Sequence, residues 1–411
     1  MKFLAAAFLA ACSLAALPAL ASQPAPATSP AAAAPAASAS PAPTPSPTPT
    51  PTWQGAGFLA ASYNSPSTGN VSGPHTAFDF ANGGPSRVFD TNSDEAMLNA
   101  INYTVTRNGP IGGKLEVTGG SNANVIASYP TLPNSSFDVT QFYVDATSGL
   151  FTLQVGKFET LAGAEVIEDP SDVNISRSIL FGYAVPFTHT GVRLTFAPSS
   201  LFTFIAGANN GWDNLKGNGL GSPTAEFSGA YNGAVISGSV NAYLGTERLS
   251  DSAWTTNGAE PTGSRSLVDV VATYHTTPKL TLQGNFDAGS QDNAPILNGA
   301  GGTETTPGGV PLVGTATWTG VAGYAEYAFT SSFSAALRGE TFNDAQGYRT
   351  GYAQQWKETT LTLSYTPPGA QLLTFRVEGR ADESNEAVWV TPGGLLTNNL
   401  QSWAAQVLIK F

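Results

Sequence analysis

The sequence predicts an all-β protein, a closed antiparallel transmembrane β-barrel of about 16 strands with short turns at one end and long loops at the other. Three observations predict it. Only 11% of the 411 residues are charged although 41% are hydrophobic, against about 25% charged in an average soluble chain. The apolar positions recur with a period of two, not 3.6. The connections between these alternating stretches are short and long by turns.

The composition also excludes three classes. Low charge and 10% aromatic residues exclude general disorder. After residue 21 no apolar run approaches the roughly 18 residues of a spanning helix. A net charge of -12 lacks the excess of cations that phosphate binding needs, so no nucleic-acid partner is expected.

Residues 1–21, MKFLAAAFLAACSLAALPALA, read as a secretory signal peptide. One Lys precedes an apolar stretch, Pro18 breaks it, and Ala19-Leu20-Ala21 supplies a small-x-small cleavage site. Leu9-Ala10-Ala11-Cys12 resembles a lipoprotein box, but the apolar stretch before Cys12 is very short. Cleavage after Ala21 removes the single Cys, and with it any disulfide or thiolate metal site. It also removes Lys2, leaving 16 basic and 29 acidic residues, a net -13. Residues 22–52 contain only Ser, Gln, Ala, Thr and Pro, ending in PAPTPSPTPTPT. Alternating Pro favours extended polyproline II, so this is expected to be an uncharged periplasmic tether. Contact with peptidoglycan is an alternative to a plain spacer.

The body, residues 53–411, is expected to be the barrel. Val192, Leu194 and Phe196 alternate with Arg193 and Thr195. Ile236, Val240, Ala242 and Leu244 alternate with Ser237, Ser239, Asn241 and Tyr243. Phe333, Ala335 and Leu337 oppose Ser334, Arg338 and Glu340; Leu361, Leu363 and Tyr365 oppose Glu358, Thr360, Thr362 and Ser364. Leu373, Phe375 and Val377 oppose Thr374, Arg376, Glu378 and Arg380. The last strand sets Trp403, Ala405, Val407, Ile409 and Phe411 against Ser402, Gln406 and Lys410. A soluble sandwich would carry many Lys and Glu on its polar face. A face of Ser, Thr, Asn, Gln and Gly instead suits a wet lumen, with small and polar side chains and no bulky filler. Lipid on the other face requires every backbone group to be paired, so the sheet must close.

Short connections fall near Asn108-Gly109-Pro110, Ser148-Gly149, Pro198-Ser199-Ser200, Asn232-Gly233, Thr276-Thr277-Pro278, Thr330-Ser331 and Pro367-Pro368-Gly369. Long ones span roughly 64–95, 122–136, 159–188, 210–223, 247–264, 289–315, 343–356 and 382–399. Segments such as NGAGGTETTPGG in these loops cannot form a core. Short turns are expected in the periplasm and long loops outside the cell.

Family resemblance rests on an ordered set of segments: Gly57-Phe58-Leu59-Ala60-Ala61-Ser62-Tyr63-Asn64, Arg87-Val88-Phe89-Asp90, Leu98-Asn99-Ala100-Ile101 and Gln154-Val155-Gly156-Lys157-Phe158. Gly163-Ala164-Glu165, Asn174-Ile175-Ser176-Arg177-Ser178 and Pro186-Phe187-Thr188-His189-Thr190-Gly191-Val192-Arg193 continue it. The order resembles the OmpL-like β-barrel porin family of Gram-negative outer membranes, from about Gly57 to Phe411. After Asn209 only the barrel pattern carries the resemblance. It implies an outer-membrane channel without a cofactor, with membrane lipid and small hydrophilic solutes or ions as partners. A homotrimer, usual for sixteen-strand porins, is set against a monomer. The terminal aromatic Phe411 also resembles the end of bacterial outer-membrane barrels, which implies recognition by the barrel assembly machinery.

Residues 159–188 form the longest loop between well-defined strands of the first half. The loop carries Glu159, Glu165, Glu168, Asp169, Asp172 and Arg177, flanked by Lys157, His189 and Arg193. Its apolar Val166, Ile167, Ile179, Leu180, Phe181 and Tyr183 favour an inward fold over a solvated one. Porin loops of this kind typically narrow the pore, so acidic loop groups are expected to face basic wall groups across it. The wall candidates are Arg338, Glu340, Arg376, Glu378 and Arg380. Inward acids, including Glu116, Asp145, Glu226, Asp269, Asp287, Glu326 and Glu358, outnumber inward bases such as Lys114 and Lys410, so a weak cation preference is expected.

His75, His189 and His275 lie far apart in strand order, so no metal site is expected. His189 is the one candidate base in the upper barrel, and no Ser or Asp spacing singles it out, so no enzyme is expected. The alternative to a diffusion channel is a closed barrel that binds a ligand, a host surface or a partner through its external loops. A plugged energy-coupled transporter is disfavoured, since it needs about 22 strands and a folded plug.

Overall fold

A computed structural model describes residues 51–66, 81, 86–91, 93–127, 136–216, 222–248, 262–307, 309, 311–391 and 393–411. The expected signal peptide, nearly all of the expected tether and His75 lie outside these residues. Thr52, placed at the end of the tether by composition, is already the first residue of a strand.

The strands run in chain order as β1 (Thr52–Pro66), β2 (Glu95–Asn108), β3 (Ile111–Gly119), β4 (Phe137–Ser148), β5 (Phe151–Glu159), β6 (Thr188–Phe196), β7 (Phe202–Asn209) and β8 (Thr224–Asn232). They continue as β9 (Ile236–Arg248), β10 (Thr262–Thr277), β11 (Leu280–Pro295), β12 (Val313–Ala328), β13 (Phe333–Asp344), β14 (Gln354–Tyr365) and β15 (Leu373–Ser384). A two-residue ribbon, β16 (Trp389–Val390) with β17 (Leu396–Thr397), decorates the last long loop before β18 (Asn399–Lys410). Without that ribbon, sixteen strands pair with their neighbours in one closed ring, β18 joining β15 on one side and β1 on the other. All pairs are antiparallel; the closing pair runs from Phe58↔Lys410 to Pro66↔Ser402. β1 extends below the closure, with Thr52 opposite Asn108 of β2.

Burial is inverted relative to a soluble protein. Val377 is 53% exposed whereas its neighbour Glu378 is 6% exposed. Phe375, Leu361, Leu337, Val240 and Leu194 are exposed as the alternation predicts, and Arg376, Thr360, Arg338, Asn241 and Arg193 are covered. A closed ring with apolar residues outside satisfies its backbone internally and gives lipid a hydrocarbon surface. Among the described residues no helix is long and apolar enough to cross a membrane.

Short turns and long loops alternate as expected. The second long loop contains a short helix, α1 (Ser121–Ile126), which buries Asn122, Ala123 and Ile126. The third carries a 3-10 turn, Asp169–Ser171, and a π turn, Leu180–Ala184.

The expectation of a lumen without bulky filler is corrected. Trp318, Trp356, Tyr243 and Phe342 lie on inner strand faces and are fully buried, in one cluster with Leu180, Phe181, Trp212 and Trp389. All four strand residues lie toward the long-loop ends of β12, β14, β9 and β13. There the inner face meets folded loops rather than water. Alternation identifies an inner face but not what covers it.

Candidate pore constriction

The chain between β5 and β6 turns into the barrel and follows its inner wall. On entry, Leu161 N–H donates to the Tyr243 hydroxyl at 2.9 Å and Gly163 N–H to Asp269 Oδ2 at 3.1 Å. Ala164 N–H reaches Asn285 Oδ1 at 3.1 Å. At the tip, Gln406 Nε2 donates to Asp169 Oδ1 at 3.2 Å, and Arg376 Nη1 to Asp169 O at 3.2 Å. On the return, Glu378 accepts Ile175 N–H at 2.6 Å and Ser176 N–H at 3.0 Å. Glu340 accepts Ile179 N–H at 2.7 Å and Leu180 N–H at 3.1 Å. Trp318 Nε1–H closes the circuit on Ala184 O at 3.1 Å. The apolar Ile175, Ile179, Leu180 and Phe181 draw this stretch into the interior. Its amides then lose water, and wall carboxylates replace it.

The charged candidates gather largely into one network. Arg338 donates to Glu358 at 2.9 Å and to Glu165 at 2.8 Å, tying wall to loop. Glu165 also accepts Ser178 N–H at 2.6 Å. Arg380 binds Asp382 at 2.8 Å and donates to Arg177 O at 2.7 Å. Arg177 Nε lies 2.9 Å from Asp172 Oδ2 while donating to Val166 O at 3.0 Å. Arg376 reaches both Asp169 O and Asn174 O. These loop acids and wall arginines are therefore in direct contact. The sequence places them on opposite sides of open water; the buried loop backbone brings them together.

Three flanking candidates lie apart from the network. Lys157 pairs with Asp138 at 2.8 Å and donates to Val139 O. Arg193 forms a two-pronged pair with Glu226 at 2.6 and 3.0 Å, its guanidinium 3.7 Å from the centre of the Phe158 ring. His189 stacks on Tyr243 at 4.9 Å and its Nδ1 lies 3.1 Å from Gly211 O.

A cavity of about 360 Å³ lies between the loop tip, Val166 to Ser171, and the wall made by Phe58, Asn102, Thr104 and the C-terminal Lys410 and Phe411. Of the loop acids singled out, Glu168 lines this cavity; Glu165, Asp169 and Asp172 do not. Carboxylate oxygens of Glu116, Glu159 and Glu168 come within 4.8 Å of one another, a set able to hold a cation. The Lys114 ammonium, 2.6 Å from Glu116 and 3.8 Å from Glu168, already supplies positive charge there. Gln141 Nε2 donates to Glu159 at 2.8 Å. Burial raises the Glu168 carboxyl, the negative charge of Glu116 adds to this, and Lys114 opposes it.

Sequence reasoning overlooked the part played by the first long loop. Arg87 bonds Asp90 at 2.9 Å, Asp382 at 2.8 Å and Ser402 at 3.0 Å. The segment Arg87-Val88-Phe89-Asp90 stood out only as one of the family-like stretches. Its charged pair at spacing three was the available signal.

Several solved barrels share this architecture. The outer membrane channel DcaP of Acinetobacter baumannii is 14% identical, with a TM-score of 0.58 over 88% of this chain and 97% of that one. An anion-selective porin from Comamonas acidovorans is 9% identical, with a TM-score of 0.56 over 88% and 100% of the two chains. OmpT of Vibrio cholerae, in trimer form, is 10% identical, with a TM-score of 0.53 over 88% and 100%. At these identities the likeness concerns the fold. No curated protein sequence matches the chain. A family model does: residues 61–410 match the one described as beta-barrel porin-2, OmpL-like. The closed sixteen-strand ring, the inverted burial and this match over most of the chain lead to one conclusion: the chain belongs to the beta-barrel porin-2, OmpL-like family.

Proposed function

We propose that the protein is an outer-membrane channel for passive diffusion of small hydrophilic solutes and ions, with a weak cation preference. The observation that carries this reading is the cavity beside Glu168. Glu168 and Lys410 line it, and behind Glu168 the carboxylates of Glu116 and Glu159 gather with it, Lys114 pairing with Glu116. Fixed negative charge between low-dielectric walls concentrates cations. The inward loop and its wall arginines act as the scaffold of the constriction, and Glu168 as its charged lip.

This reading includes export by a cleaved leader, insertion through the barrel assembly machinery acting on the strand that ends in Phe411, and a homotrimer. Residues 22–51 serve as a periplasmic tether. No catalytic role is assigned. The packed aromatic cluster at the long-loop end favours a second reading, a closed barrel that binds partners through its loops. A planar-bilayer recording under a salt gradient decides between them. The channel reading expects discrete conductance steps and a reversal potential on the cation side. A protein that inserts and stays silent supports the closed barrel.

A further inference from the structure

Above the cavity, the inner face of β1 and β18 carries a packed apolar layer, Phe58, Ala60 and Leu408 with Ala100 of β2, and then a polar stretch. Register sets the heights: Phe58 opposite Lys410, then Ser62 opposite Gln406, then Asn64 opposite Ala404. Six residues along a strand rise about 20 Å. Along this seam Ser62 Oγ and both polar atoms of the Asn64 amide are buried without a hydrogen-bond partner among the described residues. Asn64 is only 2% exposed. Buried polar groups left without protein partners are places for water.

At the level of Asn64 lies a slit with no room for a water-sized sphere. Asn64, Ser402, Glu378 and Arg380 of the wall line it, and Arg87 and Asp90 of the first long loop fill it. The arms of Arg87 hold the segment on the wall, through Asp382 and Ser402, and brace it internally through Asp90. Phe89 holds it on the inward loop, its ring 5.8 Å from Phe181 and 5.5 Å from Phe187, with the Arg177 guanidinium at 5.1 Å. Val88 packs so closely on the π turn that a Cβ on Gly182 would meet Val88 Cγ2 at 2.5 Å. The segment is thus clipped at three points across the gap between the β15–β18 wall and the inward loop.

We propose that Ser86–Asp90 is the gate of this channel, with Arg87 as its latch on Asp382. The gate rests on the channel reading above. With Arg87 seated, the slit beside Asn64 is shut. When Arg87 leaves Asp382 and Phe89 leaves its aromatic cup, the slit opens. Phe89 and the carboxylates of Asp382 and Asp90 then set how often it opens, and the side chains of Asn64, Glu378, Arg380 and Ser402 set what passes.

The test is single-channel recording of the outer-membrane-expressed protein, with heat-modifiability as the check that each variant is a folded barrel. Arg87→Gln and, separately, Phe89→Ala are compared with wild type and with the loop-anchor variant Glu340→Gln/Glu378→Gln. The gate expects each latch variant to raise open probability or conductance by about twofold or more and to admit larger solutes in liposome swelling. Phe89→Ala leaves the charge network intact, so it covers the case in which Arg87→Gln does not fold. Folded latch variants that conduct as wild type does, while the loop-anchor variant conducts more, overturn the gate and leave the channel standing. Silence of all four proteins overturns the channel reading and the gate with it.

Discussion

Phe411 and Gly57 exchange backbone hydrogen bonds in both directions, Gly57 N–H to Phe411 O at 2.8 Å and Phe411 N–H to Gly57 O at 2.9 Å. They are the last rung of the ring closure, one step below Phe58↔Lys410. The Phe411 ring lies over Gly57, where a Cβ would come within 2.5 Å of Phe411 Cε2 and 2.6 Å of Asn102 O. Gly57 is therefore the space that the terminal aromatic occupies. Gly57→Val should displace the ring and weaken closure, and removal of Phe411 or Phe411→Asp should do so more severely. Unpaired backbone facing lipid costs several kcal/mol per group, of order 2–7. Fractionation and gel mobility with and without heating measure the outcome. Normal amounts of heat-modifiable barrel in all three variants would count against this account.

Two wall carboxylates hold the inward loop by its backbone. Glu340 and Glu378 each take two amides of the loop, and each such charge-assisted bond contributes about 1.5–3 kcal/mol. Glu340→Gln with Glu378→Gln halves the number of acceptor oxygens and removes their charge. The loop should loosen, and single-channel conductance should rise and become noisier. Limited proteolysis should then cut between Thr160 and Phe187. A quiet, wild-type conductance with no new cleavage would show that apolar packing alone retains the loop.

The strand faces were legible in the sequence because lipid enforces them. Val377 beside Glu378, and Leu361 beside Thr360, have to differ when one side meets hydrocarbon. The apolar stretch within residues 159–188 was legible for a related reason, since Ile179, Leu180 and Phe181 need a covered surface, and all three are buried. The contacts across the lumen were not legible. Arg87 and Asp382 are separated by 295 positions, and no local pattern records such a pairing. Trp318 and Trp356 occupy inner positions that period two treats as lumen, but loop residues distant in the chain cover them. Charged residues were legible as types; which of them meet water depends on that packing.

The loop acids should separate into two groups. Glu168 lines the cavity, whereas Glu165, Asp169 and Asp172 are engaged by Arg338, Asn122, Gln406 and Arg177. Glu168→Gln alone should move the reversal potential toward anions, with conductance nearly unchanged. Glu165→Gln should chiefly disturb the loop, because it leaves Arg338 without a loop charge. The raised Glu168 carboxyl gives a sign for pH: higher pH ionises more of it, so cation preference should grow as pH rises. The effect should shrink at high salt, where screening acts within about 3 Å at 1 M. A reversal potential that ignores Glu168→Gln yet follows the other acids would reverse this assignment.

Docking of the inward loop should weaken as pH rises. Burial pushes the Asp172 carboxyl from its ordinary 3.8 up to about 8, with Arg177 opposing the shift and Glu165 adding to it. Released into water, the same carboxyl would titrate near its ordinary value. Below about pH 4 both states carry the proton and the group has no influence on docking. Between about pH 4 and 8 the released carboxyl is ionised and the docked one is protonated. Raising pH through this window therefore favours the released loop, and the trend levels off above the docked value. Asp172→Asn cannot ionise, and its carbonyl can still accept the Val166 N–H that Asp172 Oδ1 accepts at 3.0 Å. Protease sensitivity of residues 160–187 in detergent-solubilised barrels, followed from acid to mildly alkaline pH, reads the effect. Wild type should become more sensitive across the window, while Asp172→Asn should stay protected throughout. A variant whose sensitivity climbs with pH as steeply as wild type would assign the titration to another group.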